Sequence, residues 1–301
     1  MQLRSLYVFA VLSVPGTIFP QRAVAQSLDS VQIRTERVAE GVYALFGRGG
    51  NIGLAIGPEA VFVVDDQFAP LSPKILAAIA ALTDRPVRFV LNTHWHGDHT
   101  GGNENMGKAG ALIVAHDNVR RRMSTKQFIE FAKSEVPPSP SSALPVVTFS
   151  DTVTFHVNGD AITAIHLPAA HTDGDAVVYF RRANVIHMGD VYFRGYPFVD
   201  VSSGGSLSGV IRGMDRILAM INDSTTVIPG HGATTNRTTM RADRDMLATV
   251  RDRVRRQVRA GASLEKIVAS KPTAEFDAKY GGGFIKPAAF VQFAYADATR
   301  R

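Results

Sequence analysis

Apolar and polar positions change period several times along the chain, and each change marks an element. From Val31 to Val64 short apolar runs are separated by Gly47, Gly49, Gly50 and Gly53, which predicts strands joined by tight turns and an antiparallel sheet at the start of the mature domain. Leu71 to Leu82 carries apolar residues at helical spacing and is stopped by Asp84-Arg85-Pro86, after which Val87 to Leu91 reads as a buried strand. Ala111 to Ala115 gives another strand, Asn118 to Lys133 a polar helix, and Pro137-Pro138-Ser139-Pro140 a loop. Further strands are predicted within Val146 to Leu167, a hairpin from Val177–Phe180 and Asn184–Met188, and a short strand at Val227 and Ile228 that ends in Pro229-Gly230-His231. Between these, Leu207, Val210, Ile211, Met214, Ile217, Leu218 and Ile221 line one helix face and are assigned to core packing. Two successive sets of strands and helices predict an α/β protein in which two sheets are covered by outer helices.

Composition narrows the chemistry. The chain has 301 residues, 45% of them hydrophobic, enough for one large domain or two fused halves; candidate ligands lie in both halves, so one catalytic unit is expected. Cysteine is absent, which excludes disulfides and thiolate ligands and leaves any metal to His, Asp, Glu and water. Arg4, the apolar stretch Leu6 to Phe19 and the small residues Ala23-Val24-Ala25 predict a signal peptide over residues 1–25, followed by a hydrolase domain over 26–301. The apolar stretch is shorter than the ~20 residues of a membrane span and contains Pro15-Gly16. A periplasmic or secreted protein with no stable membrane anchor after leader removal is therefore expected. The net charge of +6 owes much to Arg241 to Arg259, where Asp243, Asp245 and Asp252 are interleaved and aromatic residues are missing. That pattern reads as a solvated helix face and predicts no nucleic-acid partner.

The densest chemistry lies in Thr93-His94-Trp95-His96-Gly97-Asp98-His99, directly after a predicted strand. Neutral imidazole nitrogen with carboxylate oxygen suits Zn²⁺ and, less selectively, Fe or Mn. In a tight loop His94 and His96 can face one way while Asp98 and His99 face another, so one segment can serve two adjacent metals. His171, Asp190 and His231 each follow an apolar strand, where a rigid scaffold presents functional groups. His116, His156, His166 and His187 are assigned to ordinary hydrogen bonding, Trp95 to packing, and Gly101-Gly102 to a backbone turn. Arg48-Gly49-Gly50-Asn51 reads as a hairpin turn.

With this H-x-H-x-D-H loop and the three downstream ligand positions, the chain resembles the metallo-β-lactamase superfamily over nearly its whole mature length. The resemblance implies a four-layer αβ/βα sandwich with the site at one edge. It implies two Zn²⁺ per chain: His94, His96 and His171 on the first, Asp98, His99 and His231 on the second, and Asp190 between them. Asp65, with Asp66 as the neighbouring alternative, would orient a ligand or the loop. Two cations ~3.5–4 Å apart lower the pKa of a shared water toward ~7 and polarise a carbonyl, so hydroxide is the expected nucleophile. Asp98 would orient it or carry its proton.

Asp190 stands where zinc β-lactamases of this motif carry Cys, and in this the chain resembles glyoxalase II and lactonases. Arg194 lies near where β-lactamases place a cation for the substrate carboxylate. A small-molecule substrate is expected, β-lactam first, with lactone or thioester hydrolysis as the alternative. A mononuclear iron dioxygenase of the same fold would need fewer of these ligands.

Overall fold

The structure is a computed structural model and describes residues 28–300; the expected leader, residues 1–25, lies outside the described residues. Four strands open the domain: β1 (Arg34–Ala39), β2 (Val42–Phe46), β3 (Ile52–Ile56) and β4 (Val61–Val64). Then come α1 (Ser72–Ala80), β5 (Val87–Asn92), the short helices α2 (Gly97–Thr100) and α3 (Asn103–Lys108), β6 (Leu112–His116) and α4 (Asp117–Met123). A small hairpin, β7 (Gln127–Ile129) and β8 (Ser134–Val136), precedes β9 (Val147–Phe149), β10 (Thr152–Val157), β11 (Asp160–His166), β12 (Ala176–Phe180) and β13 (Val185–His187). The chain ends with α5 (Leu207–Met220), β14 (Thr226–Ile228), β15 (Thr235–Asn236), α6 (Arg237–Arg259), α7 (Leu264–Ala269), α8 (Ala274–Tyr280) and α9 (Pro287–Thr299).

One sheet has the order β1-β2-β3-β4-β5-β6-β9, antiparallel up to β4 and parallel from β4 onward. The other has the order β10-β11-β12-β13-β14-β15, with β13 and β14 as its parallel pair. Alternation along β4 shows how they stack. Phe62 and Val64 point into the layer between the sheets with Leu91, Ile162, Val178, Phe180 and Ile228, whereas Val61 and Val63 pack outward with Ile75 and Ile79 of α1. On the far side, Ile165, Val177, Ile186 and Val227 pack against α5, α6 and α9. The layers are therefore helix, sheet, sheet, helix: the four-layer αβ/βα sandwich that the motifs imply.

Parallel pairing decides where functional loops emerge. Val64 pairs with Leu91, and His187 with Ile228, so β4 and β5 end level with each other, as do β13 and β14. The segments after all four strands, which carry Asp65 and several of the predicted ligands, leave from one edge of the sandwich, at carboxyl ends of parallel strands.

The expected helix over 118–133 is corrected by the structure. Only α4 forms, capped at its start by His116 Nδ1 accepting from the Asn118 N–H. Ser124 and Thr125 hydroxyls both donate to the Arg121 carbonyl and tie off the last turn. The chain then turns through Lys133, which has a positive φ, to make the β7–β8 hairpin. Short-range hydroxyl competition of this kind favours a helix end over continuation. Among the described residues no helix is long and apolar enough to cross a membrane.

Candidate metal centre

The loop after β5 is held from beneath by Asp65, at the end of β4. Asp65 Oδ1 accepts from the Thr93 N–H at 2.7 Å; Oδ2 accepts from the Thr93 hydroxyl and from His99 Nδ1, both at 2.7 Å. Asp65 adopts a left-handed φ of 63°, unusual for a residue with a Cβ, and its own N–H is held by the Leu91 carbonyl at 3.0 Å. Strain of this kind persists where surrounding bonds over-determine the backbone. Asp66, the neighbouring alternative, instead accepts from the Gly102 N–H at 2.9 Å, behind the loop.

Each imidazole of the first cluster is aimed by a bond on its outer nitrogen. His94 Nδ1 donates to the Thr93 hydroxyl at 3.1 Å, His96 Nε2 to Asp200 Oδ2 at 2.9 Å, and His171 Nδ1 to the Phe198 carbonyl at 2.9 Å. That leaves His94 Nε2, His96 Nδ1 and His171 Nε2 facing one another. His96 Nδ1 lies 3.1 Å from His94 Nε2 and 2.9 Å from His171 Nε2, while Asp190 Oδ2 stands 3.7 Å and 3.6 Å from His94 and His171.

The second cluster gathers Asp98, His99 and His231 around the other oxygen of Asp190. His99 Nε2 and His231 Nε2 are 3.4 Å apart, and Asp190 Oδ1 lies 3.2 Å and 3.4 Å from them. Asp98 Oδ2 lies 3.3 Å from His231 Nε2 and 3.6 Å from His99 Nε2. Ligand bonds of ~2.0–2.1 Å in a tetrahedron separate neighbouring donor atoms by roughly 3.3–3.4 Å. Both clusters match that spacing, and each residue set is one that can hold a metal ion. Asp190 Oδ1 is buried without a hydrogen-bond partner, as a group whose natural partner is a cation would be.

Close approach requires glycine twice. A Cβ on Gly50, in the turn between β2 and β3, would lie 2.1 Å from His99 Cε1, and one on Gly230 would lie 2.1 Å from Asp190 Oδ1. The His231 loop is clamped by Asn51, whose Nδ2 donates to the Pro229 and Gly232 carbonyls, each at 2.8 Å.

Protonation divides the two clusters. Burial, reinforced by neighbouring imidazoles, holds His94 well below the usual histidine value and His171 at about 4. Burial also pulls on His231 and His99, but the carboxylates of Asp190 and Asp98 outweigh it, raising His231 to about 9 and His99 well above its usual value. Burial raises Asp98, yet His99 and His231 bring it down to about 2. Protons on His99 and His231 thus stand where a cation would neutralise Asp98 and Asp190.

The seven predicted ligand positions, contributed by four separate segments, converge at this edge. Asp65 touches His99. Arg194 is exposed; its N–H donates to the His231 carbonyl at 3.1 Å, and its Nε lies 3.6 Å from Asp243. His187 is buried outside the clusters and bonds the Asn51 carbonyl at 3.0 Å, while His116 and His166 stack on each other at 3.7 Å. Trp95 is buried with Ala115, Val119, Met123 and Leu144. Asp200, the Phe198 carbonyl, Thr93 and Asn51 were missed by sequence reading. A carboxylate shortly after Asp190 was the only available sign of Asp200, and nothing local linked it to His96.

The family model of the metallo-beta-lactamase superfamily matches residues 45–239, from β2 into α6 and across every ligand position. The chain belongs to the metallo-beta-lactamase superfamily. Members are metal-dependent hydrolases, though some have other activities. Among solved structures, a metallo-beta-lactamase from Pontibacter korlensis superposes with a TM-score of 0.60 at 18% identity, covering 72% of this chain and 99% of that one. The inverting sec-alkylsulfatase Pisa1 from Pseudomonas sp. superposes with a TM-score of 0.68 at 15% identity, covering 88% of this chain and 50% of that one. At such identities the likeness is one of fold. In sequence, the chain is 24% identical over 164 residues to the Lactamase-like protein aptB of Emericella nidulans, covering 50% of this chain. It spans only 46% of that curated relative's length.

Proposed function

We propose that this chain is a dinuclear zinc hydrolase that opens an amide or ester carbonyl, with a β-lactam ring as its leading substrate. The observation that carries the reading is the division of Asp190 between two clusters of donor atoms at metal-ligand spacing. His94, His96 and His171 would hold one zinc, Asp98, His99 and His231 the other, and Asp190 both. When bound, two zinc ions supply Lewis acidity toward a carbonyl and a nucleophilic hydroxide near neutral pH.

The chain's own groups do the positioning. Asp200, Thr93 and the Phe198 carbonyl fix three ring orientations, so the site needs little rearrangement during reaction. Asp98 is 27% exposed and His231 30%, so substrate reaches the centre from their side. There the Asp98 carboxylate can orient an attacking water and accept its proton. Arg194 leaves the backbone beside His231 with its side chain 31% exposed, and would meet a substrate carboxylate there. Two structural neighbours described as metallo-beta-lactamases superpose over 99% of their own chains at 18% identity, a likeness of fold with which the β-lactam reading is compatible. Lactone or thioester hydrolysis is the second reading, favoured by Asp190 in the place of Cys and by the pairing of Arg194 Nε with Asp243. Export of the mature chain is part of the proposal and rests on residues 1–25 alone.

The test is turnover by the zinc-loaded mature protein of a carbapenem, a cephalosporin, a lactone, a thioester and a secondary alkyl sulfate, with Asp190→Ala as control. Turnover confined to lactone and thioester overturns the β-lactam assignment. Turnover that survives chelation overturns the metallohydrolase reading.

A further inference from the structure

A row of phenylalanine rings runs from the first cluster to the surface, assembled from three separate parts of the chain. Phe198 lies against two ligand rings, with centroids 5.7 Å from His96 and 5.4 Å from His171. Phe131, at the tip of the β7–β8 hairpin, lies 5.3 Å from Phe198, and Phe284 lies 6.2 Å from Phe131. Phe293 of α9 backs both inner rings, 5.4 Å from Phe131 and 5.7 Å from Phe198. Exposure rises outward: Phe293 is buried, Phe131 is 40% exposed and Phe284 is 79% exposed. Phe284 follows Gly281-Gly282-Gly283, and a Cβ on Gly282 or Gly283 would meet nothing within 4 Å.

Two large apolar side chains left in water beside a reaction centre are uncovered surface that a ligand can remove from solvent. Charges flanking this row are satisfied locally. Lys133 pairs with Glu130, and Lys126 with Glu135 at 2.7 Å, within the same hairpin. The hairpin is also docked, with the Glu130 N–H donating to the Ser202 hydroxyl beside Asp200. Apolar surface therefore lies on the His96 and His171 side of the centre, and the Arg194 cation on the His231 side.

From this juxtaposition we infer that the phenylalanine row Phe198–Phe131–Phe284 binds an apolar acyl arm of the substrate, aryl or medium-chain alkyl, carried next to the scissile carbonyl. This rests on the hydrolase reading above and names its substrate class: acyl compounds with an apolar arm on one side of the carbonyl. A β-lactam with an arylacetyl side chain and a lactone with an alkanoyl side chain both qualify. Recognition comes from area removed from water and from edge and face contacts between rings.

Two measurements on the zinc-loaded full chain test it. The first compares kcat/KM for a penam with a phenylacetyl arm against the same penam with a free amine, and for an octanoyl against a butanoyl lactone, in wild type, Phe131→Ala and Phe284→Ala. Wild type is expected to prefer the armed member of each hydrolysed pair by about tenfold, since a half-open wall covers only part of the added apolar area. In both variants that ratio should fall to within about twofold, while far-ultraviolet circular dichroism stays native. An unchanged ratio in the variants, or none in wild type, overturns the inference.

The second measurement is calorimetric binding of octanoate and butanoate. Octanoate is expected to bind about tenfold tighter to wild type and no tighter to Phe131→Ala. If no member of either pair is turned over, the hydrolase reading fails, and this comparison alone decides whether the row binds an apolar arm; equal affinities overturn it.

Discussion

The two donor clusters share Asp190 but are built on different physics. Every ring of the first is buried and tied at its outer nitrogen to Thr93, Asp200 or the Phe198 carbonyl. Burial keeps His94 and His171 neutral, ready to coordinate without losing a proton. In the second cluster only His99 is fully enclosed, held by Asp65, while Asp98 and His231 reach solvent and His231 keeps its proton up to about 9. A rigid, buried triad is suited to hold a cation in place; the half-open Asp98 and His231 leave room for water and substrate. On the proposed reading the first cluster is the anchor and the second the working face.

Removing what they share should erase the difference. Asp190→Ala is expected to lower zinc to one ion per chain or fewer by atomic absorption and to reduce turnover by more than about 10³-fold; retention of two ions would break the proposed bridge. Asp200→Ala and Asp65→Asn separate the clusters. Loss of a bond that aims a ligand typically weakens metal binding about 10- to 100-fold. Stepwise zinc titration should show the tighter ion weakened in Asp200→Ala and the weaker ion in Asp65→Asn.

Proton competition sharpens the contrast further. Because His231 lies at about 9, a zinc ion bound at the second cluster would have to displace a proton at neutral pH, so its affinity should rise with pH from 6 to 8 by up to about tenfold per unit per proton. His171 lies at about 4, so the first zinc should bind with nearly constant affinity over that range. Equal slopes in a chelator competition assay would refute the division. The same carboxylates act on stability without metal. His231 is raised on folding, so its contribution is complete below about 6.5 and is lost as pH climbs through about 9. The melting temperature of the metal-free chain should fall across that window.

Arg194→Ala should have the smallest effect. Zinc content should be unchanged, and KM for a carboxylate-bearing β-lactam should rise about fivefold, the worth of one exposed ion pair; an unchanged KM would remove Arg194 from substrate binding.

Much of this is legible in the sequence. The run His94 to His99 announces its chemistry locally, and His171, Asp190 and His231 stand out because each follows an apolar strand. Val61–Val64 is apolar throughout, so only the layers covering it separate its inner from its outer face. The segment after Asn118 misled because its polar composition suits a helix, whereas Ser124 and Thr125 close that helix early. Arg241 to Arg259 lies within α6 as a helix with a charged face, but it also buries Asp243, which accepts from the hydroxyls of Tyr192 and Tyr280 at 2.7 Å and 2.8 Å.

By itself the sequence determined which residue types were available to a metal, most strands of the two large sheets, and that strand ends would present the candidate ligands; these follow from period and short-range turn chemistry. Tertiary structure alone decided which nitrogen of each imidazole faces inward, that Asp200 aims His96 across 104 residues, and that Asp190 divides its two oxygens between clusters. It also brought Phe131, Phe198 and Phe284 into one row. Such choices depend on loops closed by parallel strand pairing, and a local pattern carries no record of which distant group will fill the space behind a ring.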